Sequence, residues 1–291
     1  MLLKRVITAS ILAALIALAV FQLPSEYFSL IIALIVLIAG WEWSNLVGIT
    51  SLLKRSLFLL AIILPMLGIH FWPLMLEMVA MSFDWTEVRN YSGVLEWLVV
   101  PPVLFWILIM LLIRKTPTQV LQLEIKQSYK LAVGWFVLLA AWMFLSRLRA
   151  FYGTEMTMYL LLLIWAADIA AYFVGKKFGT VKLAPEISPG KTVQGMYGAL
   201  GAGFVCAGLL SLIYKFQPLV IGDFLLLSAL TVLISIYGDL FFSVVKRQRG
   251  AKDTGTLLPG HGGVLDRIDS MVAAIPFFYA GVYLIYTGIT S

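Results

Sequence analysis

The chain has 291 residues, of which 62% are hydrophobic and only 12% charged, and its mean hydropathy is +0.98. Soluble domains carry about 25% charged residues, so a chain this apolar has too little polar surface to cover a core in water. Composition therefore excludes a soluble enzyme, and the net charge of +6 is explained by membrane topology rather than by a nucleic-acid partner.

Apolar runs of the ~20 residues needed to cross a bilayer as a helix recur from end to end. They fall at 6–23, 27–49, 57–81, 92–113, 131–146, 156–175, 193–214, 220–244 and 265–287. The predicted fold class is all-α: a polytopic integral membrane protein with about nine transmembrane helices. Lys4 and Arg5 precede the first run as in a secretory signal, but Phe21-Gln22-Leu23-Pro24 is a poor cleavage site, so the run reads as a retained span. The run 57–81 contains Pro65, Gly68 and Pro73 yet reads as one long or kinked span, because proline is tolerated inside membrane helices.

With nine spans, seventeen of the 21 basic residues fall on the side of the N-terminus and four (Arg89, Arg147, Arg149 and Lys215) on the other. The positive-inside rule then puts the N-terminus in the cytoplasm, together with the long polar loops 114–130, 176–192 and 245–264. Cys206 lies in an apolar run and reads as a small buried side chain. No Cys/His metal-ligand spacing is present. Residues 1–150, with about five spans, read as a scaffold; residues 151–291 carry the groups capable of chemistry.

The first such group is Asp168, a carboxylate inside an apolar helix, followed on its face by Tyr172 and Gly175. Charges there are costly and face a cavity, an ion or a partner. Ser188-Pro-Gly-Lys191-Thr192 follows at the start of a helix. It lacks the upstream glycine and strand of a Walker motif, but its residue types suit an anion site at a helix N-terminus. A second intramembrane carboxylate, Asp239, shares a helix face with Ser235, Ser243 and Lys246 or Arg247. The segment Ser243–Asp269 then holds Lys246, Arg247, Arg249, Lys252, Asp253, Asp266, Arg267 and Asp269 around the glycine-rich Pro259-Gly-His261-Gly262-Gly263. Basic residues alone would read as a topogenic or anionic-lipid patch. Aspartates among them read instead as a metal–phosphate site, in which glycines let backbone N–H groups reach phosphate oxygens. Asp266 and Asp269 are one turn apart at the start of the last span and so share a face.

These residues resemble the phosphatidate cytidylyltransferases, also called CDP-diacylglycerol synthases. The family signature is Ser-x-x-Lys-Arg, four residues, Lys-Asp, a Gly-rich stretch with His-Gly-Gly, two residues, then Asp-Arg-x-Asp. It is met at Ser243, Lys246, Arg247, Lys252, Asp253, His261, Gly262, Gly263, Asp266, Arg267 and Asp269 with every spacing intact. The specific likeness covers roughly residues 160–287, and the first five spans match only in character. Many members carry Glu where this chain has Gln194, so no charge-dependent role is expected there.

The resemblance implies a Mg²⁺-dependent reaction of CTP with phosphatidate to give CDP-diacylglycerol and pyrophosphate, with a second cation left open. It implies Asp239, Lys246, Asp266 and Arg267 as catalytic residues, with Asp239 and Asp266 holding the metal. Ser188, Lys191, Thr192, Ser243, Arg247, Lys252, Asp253, His261, Gly262, Gly263 and Asp269 are the expected substrate contacts, with Asp168 a further candidate. The expected setting is the bacterial inner membrane, with the site facing the cytoplasm, membrane lipids as partners and a homodimer as one possible state. Another CTP-dependent lipid kinase or transferase is the alternative within enzymes. An ion-coupled transporter using Asp168 and Asp239 is the alternative outside them.

Overall fold

The computed structural model describes residues 2–257 and 262–290, and within these the side chains of residues 11–288. His261 lies outside the described residues. The helices are α1 (Leu2–Gln22), α2 (Ser25–Leu46), α3 (Leu52–Phe83), α4 (Val94–Trp97), α5 (Val100–Lys115), α6 (Pro117–Gln122), α7 (Gln127–Phe178), α8 (Val193–Tyr214), α9 (Pro218–Gln248) and α10 (Leu265–Thr290). A 3₁₀ segment, Thr86–Gly93, follows α3.

Seven helical segments among the described residues are long and apolar enough to cross a membrane, and Ile11–Gln22 is a shorter apolar one. The chain is thus a helical membrane protein. The run 57–81 lies within α3, a single helix with Pro65 and Pro73 inside it. Leu60, Leu64 and Leu67 on that helix are exposed, as side chains facing lipid are.

The fifth and sixth predicted spans are joined in α7, which is 52 residues long. At 1.5 Å per residue it would run about 78 Å, against ~30 Å of hydrocarbon, so it cannot be one straight crossing. It breaks at Gly153, whose φ of 84° and ψ of −177° are open almost only to glycine. Arg147 and Arg149, just before the break, are anchored in the fold rather than left in a free loop. Arg147 pairs with Glu96, which also accepts from the Tyr279 hydroxyl. Arg149 donates to the carbonyls of Val20 and Leu23, both at 3.0 Å, and so closes the α1–α2 turn.

The all-α expectation needs one amendment. The 176–192 loop contains a two-stranded antiparallel hairpin, β1 (Lys182–Ala184) and β2 (Ser188–Thr192), in register Lys182↔Thr192 and Ala184↔Ser188. Ser188-Pro-Gly-Lys-Thr is poor in helix formers, and β2 runs directly into the cap of α8.

The interior is built by α7, α9 and α10, whose Leu148, Val232, Leu240, Phe242, Ala273 and Phe278 are fully buried. α9 and α10 meet at Gly238, where a Cβ would stand 2.5 Å from the Ala273 methyl. That approach brings Asp239 and Lys246 of α9 beside the first turns of α10.

Candidate active site

Four elements converge where α9 ends: the second half of α7, the hairpin, α9 itself and the start of α10. α7 and α8 touch through glycine. A Cβ on Gly195 would sit 2.8 Å from the Ala171 carbonyl, and one on Gly175 would sit 2.9 Å from Thr192 Oγ1. Thr192 is the N-cap of α8, its hydroxyl accepting from the Gly195 N–H at 3.1 Å. Gln194 accepts from the N–H groups of Thr180 and Val181 and donates to Thr180 Oγ1, so it braces the exit from α7. Its contacts need no charge.

With Thr192 fixed, the neighbouring Lys191 reaches α9. Its ammonium lies 2.7 Å from Asp239 Oδ2 and 3.2 Å from the Ile236 carbonyl. Asp239 therefore pairs across elements with Lys191, while Ser243 Oγ donates to Oδ1 at 3.3 Å. Both members of the pair stay partly open, at 24% and 33% side-chain exposure. Ser235, on the same stretch of α9, is fully buried and donates to the Val232 carbonyl, apart from this constellation.

Lys246 is buried and turns toward α10. Its ammonium is 2.8 Å from Asp266 Oδ1 and 3.8 Å from Asp269 Oδ2, so the two aspartates of the last span meet on one cation. Asp266 Oδ2 accepts from the Thr254 N–H at 2.8 Å and the Gly263 N–H at 3.0 Å, and the Thr254 hydroxyl, which it shares with Glu42, lies 3.1 Å away. Asp266 thereby closes the loop between α9 and α10. Gly262 has φ of 82°, and a Cβ there would be 2.9 Å from Asp266 Oδ2. Arg247 points the other way, donating to the carbonyls of Ile187 in the hairpin turn and Ala251 in the loop, each at 3.2 Å. Lys252, Asp253 and Arg267 are exposed, and Ser188 is partly exposed on β2.

Asp168 is about 15 Å from the C-terminal end of α7 along the helix axis and is exposed. Ser270 Oγ lies 3.5 Å from its Oδ2. The Ser270 N–H donates to Asp269 Oδ1 at 2.8 Å, so Ser270 stands between Asp168 and Asp269. The site is thus a cluster of three carboxylates and two lysines, open through Asp168 and Asp239.

Among the described residues, no group of three or more His, Cys, Asp or Glu side chains is arranged to hold a metal ion. Mg²⁺ does not require one, since it is commonly held by one or two carboxylates with waters and substrate phosphates. Asp239 fits that pattern, being partly open with only Ser243 at 3.3 Å on its Oδ1. Asp266 does not fit it, because Lys246 and three loop donors already surround its two oxygens.

Sequence reasoning overlooked Glu42 and Thr254. Glu42 accepts from the Thr254 hydroxyl and from the N–H groups of Val264 and Leu265, which ties the N-terminal half of the chain to the loop. Its signal was available: a carboxylate between Trp41 and Trp43 in an apolar run is as costly as Asp168 or Asp239.

The profile described as the cytidylyltransferase family matches residues 3–285. A Pseudomonas aeruginosa protein named phosphatidate cytidylyltransferase is 36% identical over 281 residues, which is 96% of each chain. A Haemophilus influenzae protein of the same name is 34% identical over 290 residues, covering 96% of this chain and 97% of its own. One from Bacillus subtilis is 43% identical over 131 residues, 44% of this chain and 47% of its own. The likeness reaches across the first five predicted spans, where the sequence alone showed only apolar character. The chain belongs to the cytidylyltransferase family.

Proposed function

We propose that this chain transfers the cytidylyl group of CTP to phosphatidate, releasing pyrophosphate and making CDP-diacylglycerol for phospholipid synthesis. The observation that carries this reading is end-to-end similarity to two phosphatidate cytidylyltransferases. It is supported by the cluster of Lys191, Asp239, Lys246 and Asp269 at the mouth of α9.

In this reaction a phosphatidate phosphate oxygen attacks the α-phosphorus of CTP. The bond from that phosphorus to the β-phosphate bridging oxygen breaks, and the electron pair leaves with pyrophosphate. The attacking phosphate is already ionised near neutral pH, so no strong general base is needed. The barrier lies in bringing two polyanions together and holding them in line. Lys191, Lys252 and Arg267 would take phosphate charge, with Ser188 as a hydroxyl donor, while Ser243 supports Asp239. Lys246 and Arg247, tied to Asp266 and to the hairpin, fix the frame around them. Asp239 would hold Mg²⁺, which supplies charge neutralisation on the triphosphate and the leaving group. Asp168 opens the cluster toward the bilayer interior, which suits a headgroup arriving sideways while CTP enters from water.

The chain would cross the bacterial inner membrane about nine times, counting α1 once and α7 as two crossings joined at Gly153. The N-terminus and site would face the cytoplasm, a reading supported by the distribution of basic residues. Residues 151–291 would form the catalytic part, and a homodimer is compatible with the exposed apolar helices.

The test is incorporation of radiolabelled CTP into lipid extract by purified protein with added phosphatidate. Label should appear in lipid, vanish on chelation and return with Mg²⁺. Absence of CTP-dependent lipid product would overturn the reading, and product formed undiminished under chelation would remove the metal from it.

A further inference from the structure

We propose that Glu42, on α2 in the half of the chain that reads as scaffold, is a positioning residue for the reaction. It would act by holding the loop between α9 and α10 in its working shape. The inference rests on the activity proposed above and adds a residue to it.

Glu42 is a carboxylate only 5% exposed. A buried charge of this kind persists only when hydrogen bonds replace the water it has lost. Here three donors converge on it. The Val264 N–H donates to Oε1 at 2.9 Å, and the Leu265 N–H donates to Oε2 at 2.8 Å. The Thr254 hydroxyl lies 3.0 Å from Oε2. Two of the donors are backbone groups entering α10, where a negative charge is favoured by the helix dipole.

Glycine makes room for the carboxylate on both sides of the loop. A Cβ on Gly255 would be 2.7 Å from Glu42 Oε1, and one on Gly263 would collide with the same carboxylate. Both flanks of the loop are therefore shaped to the Glu42 side chain. Its neighbour Trp43 anchors the helix that presents it: the indole N–H donates to the Lys130 carbonyl at 3.0 Å, and the ring packs on Phe241 and Phe242 of α9.

The link from Glu42 to the frame of the site is short. Thr254 stands between two carboxylates, 3.0 Å from Glu42 and 3.1 Å from Asp266, with one hydroxyl proton to offer. Asp266 in turn holds Lys246 at 2.8 Å. Shifting the loop would move Asp266 and the Lys246 ammonium, although Glu42 touches no reacting atom. An amide in place of the carboxylate keeps the size but offers one acceptor oxygen where Val264, Leu265 and Thr254 need two.

The experiment compares wild type, Glu42→Gln, Thr254→Val and the double variant, each purified in detergent. Glu42→Gln should lower kcat at least about 10-fold while KM for CTP changes far less, since a misplaced site loses rate before it loses ground-state binding. Hydrogen exchange should quicken in peptides spanning 250–266 and stay unchanged in α3 and α8. The double variant should be no worse than the poorer single one, because both act on the same loop. Wild-type kcat in Glu42→Gln, or multiplied losses in the double variant, would overturn the proposal. So would faster exchange throughout the chain, which marks a merely structural role. If Glu42→Gln cannot be purified folded, Thr254→Val decides by the same kcat and exchange criteria. Inactive wild-type protein would instead count against the proposed reaction, and the exchange readout would still judge whether Glu42 holds the loop.

Discussion

Lys191 and Asp239 form a 2.7 Å ion pair that joins the strand leading into α8 to the interior of α9. Both side chains remain partly exposed, so the pair contributes little to folding, about 0–1 kcal/mol. Its value lies in holding a cation and a carboxylate together at an open site. Lys191→Ala and Asp239→Asn should each cut CTP-dependent lipid product by about 100-fold or more, the scale seen when a charge-stabilising group is removed. Thermal midpoints should stay within a few degrees of wild type. Near-wild-type turnover in either variant, assayed on folded protein, would remove the pair from the chemistry.

Lys246 and Asp266 behave differently because they are buried, at 10% and 5% side-chain exposure. Asp266→Asn leaves the Lys246 ammonium with only Asp269 at 3.8 Å and presents an amide to donors that need acceptors. A loss of about 3–5 kcal/mol is expected, together with loss of activity. Lys246→Met removes the buried cation while Asp266 keeps its Thr254 and Gly263 donors, so it should cost less stability. Unfolding in a denaturing-detergent titration ranks the two, and a reversed order would contradict the assigned partners.

The glycine contacts between α7 and α8 predict a third effect. Gly195→Ala places a methyl 2.8 Å from a backbone carbonyl that has no room to retreat. Such overpacking costs about 1–3 kcal/mol and should displace Thr192 and with it Lys191, lowering activity as well. Gly201→Ala, on the same helix with nothing within 4 Å, is the control. It should be neutral or gain up to about 1 kcal/mol from helix propensity. Thermal stability and turnover of the two variants measured together decide the matter.

Topology can be checked with the lone thiol removed. In a Cys206→Ser background, Lys252→Cys should react with a membrane-impermeant maleimide only when the cytoplasmic face is accessible, and Glu87→Cys only from outside. The reverse labelling would invert the orientation inferred from basic residues.

The membrane class, the position of most helices and the motif Ser243–Asp269 were legible because each is local. Apolar runs of helical length, intramembrane carboxylates and fixed spacings need no knowledge of what packs against them. Spacing also suggested that Asp266 and Asp269 share a face, and Lys246 does lie against both. The hairpin at 182–192 was not legible, since a two-stranded ladder this short has no periodicity to detect. Nor was the union of two predicted spans in α7, which depends on the conformation of Gly153.

The sequence by itself determined that this chain lives in a membrane, which residue types gather at one end of its last helices and which family its signature resembles. Partnership was decided by the tertiary structure. Asp239 faces Lys191 rather than Lys246, Asp266 is enclosed by loop donors, and Glu42 from a distant helix closes that loop. The reason is physical: a buried charge is stable only beside groups that replace its water, and those groups arrive from other elements when helices pack. Their identity is a property of the packing, and spacing along the chain carries no record of it.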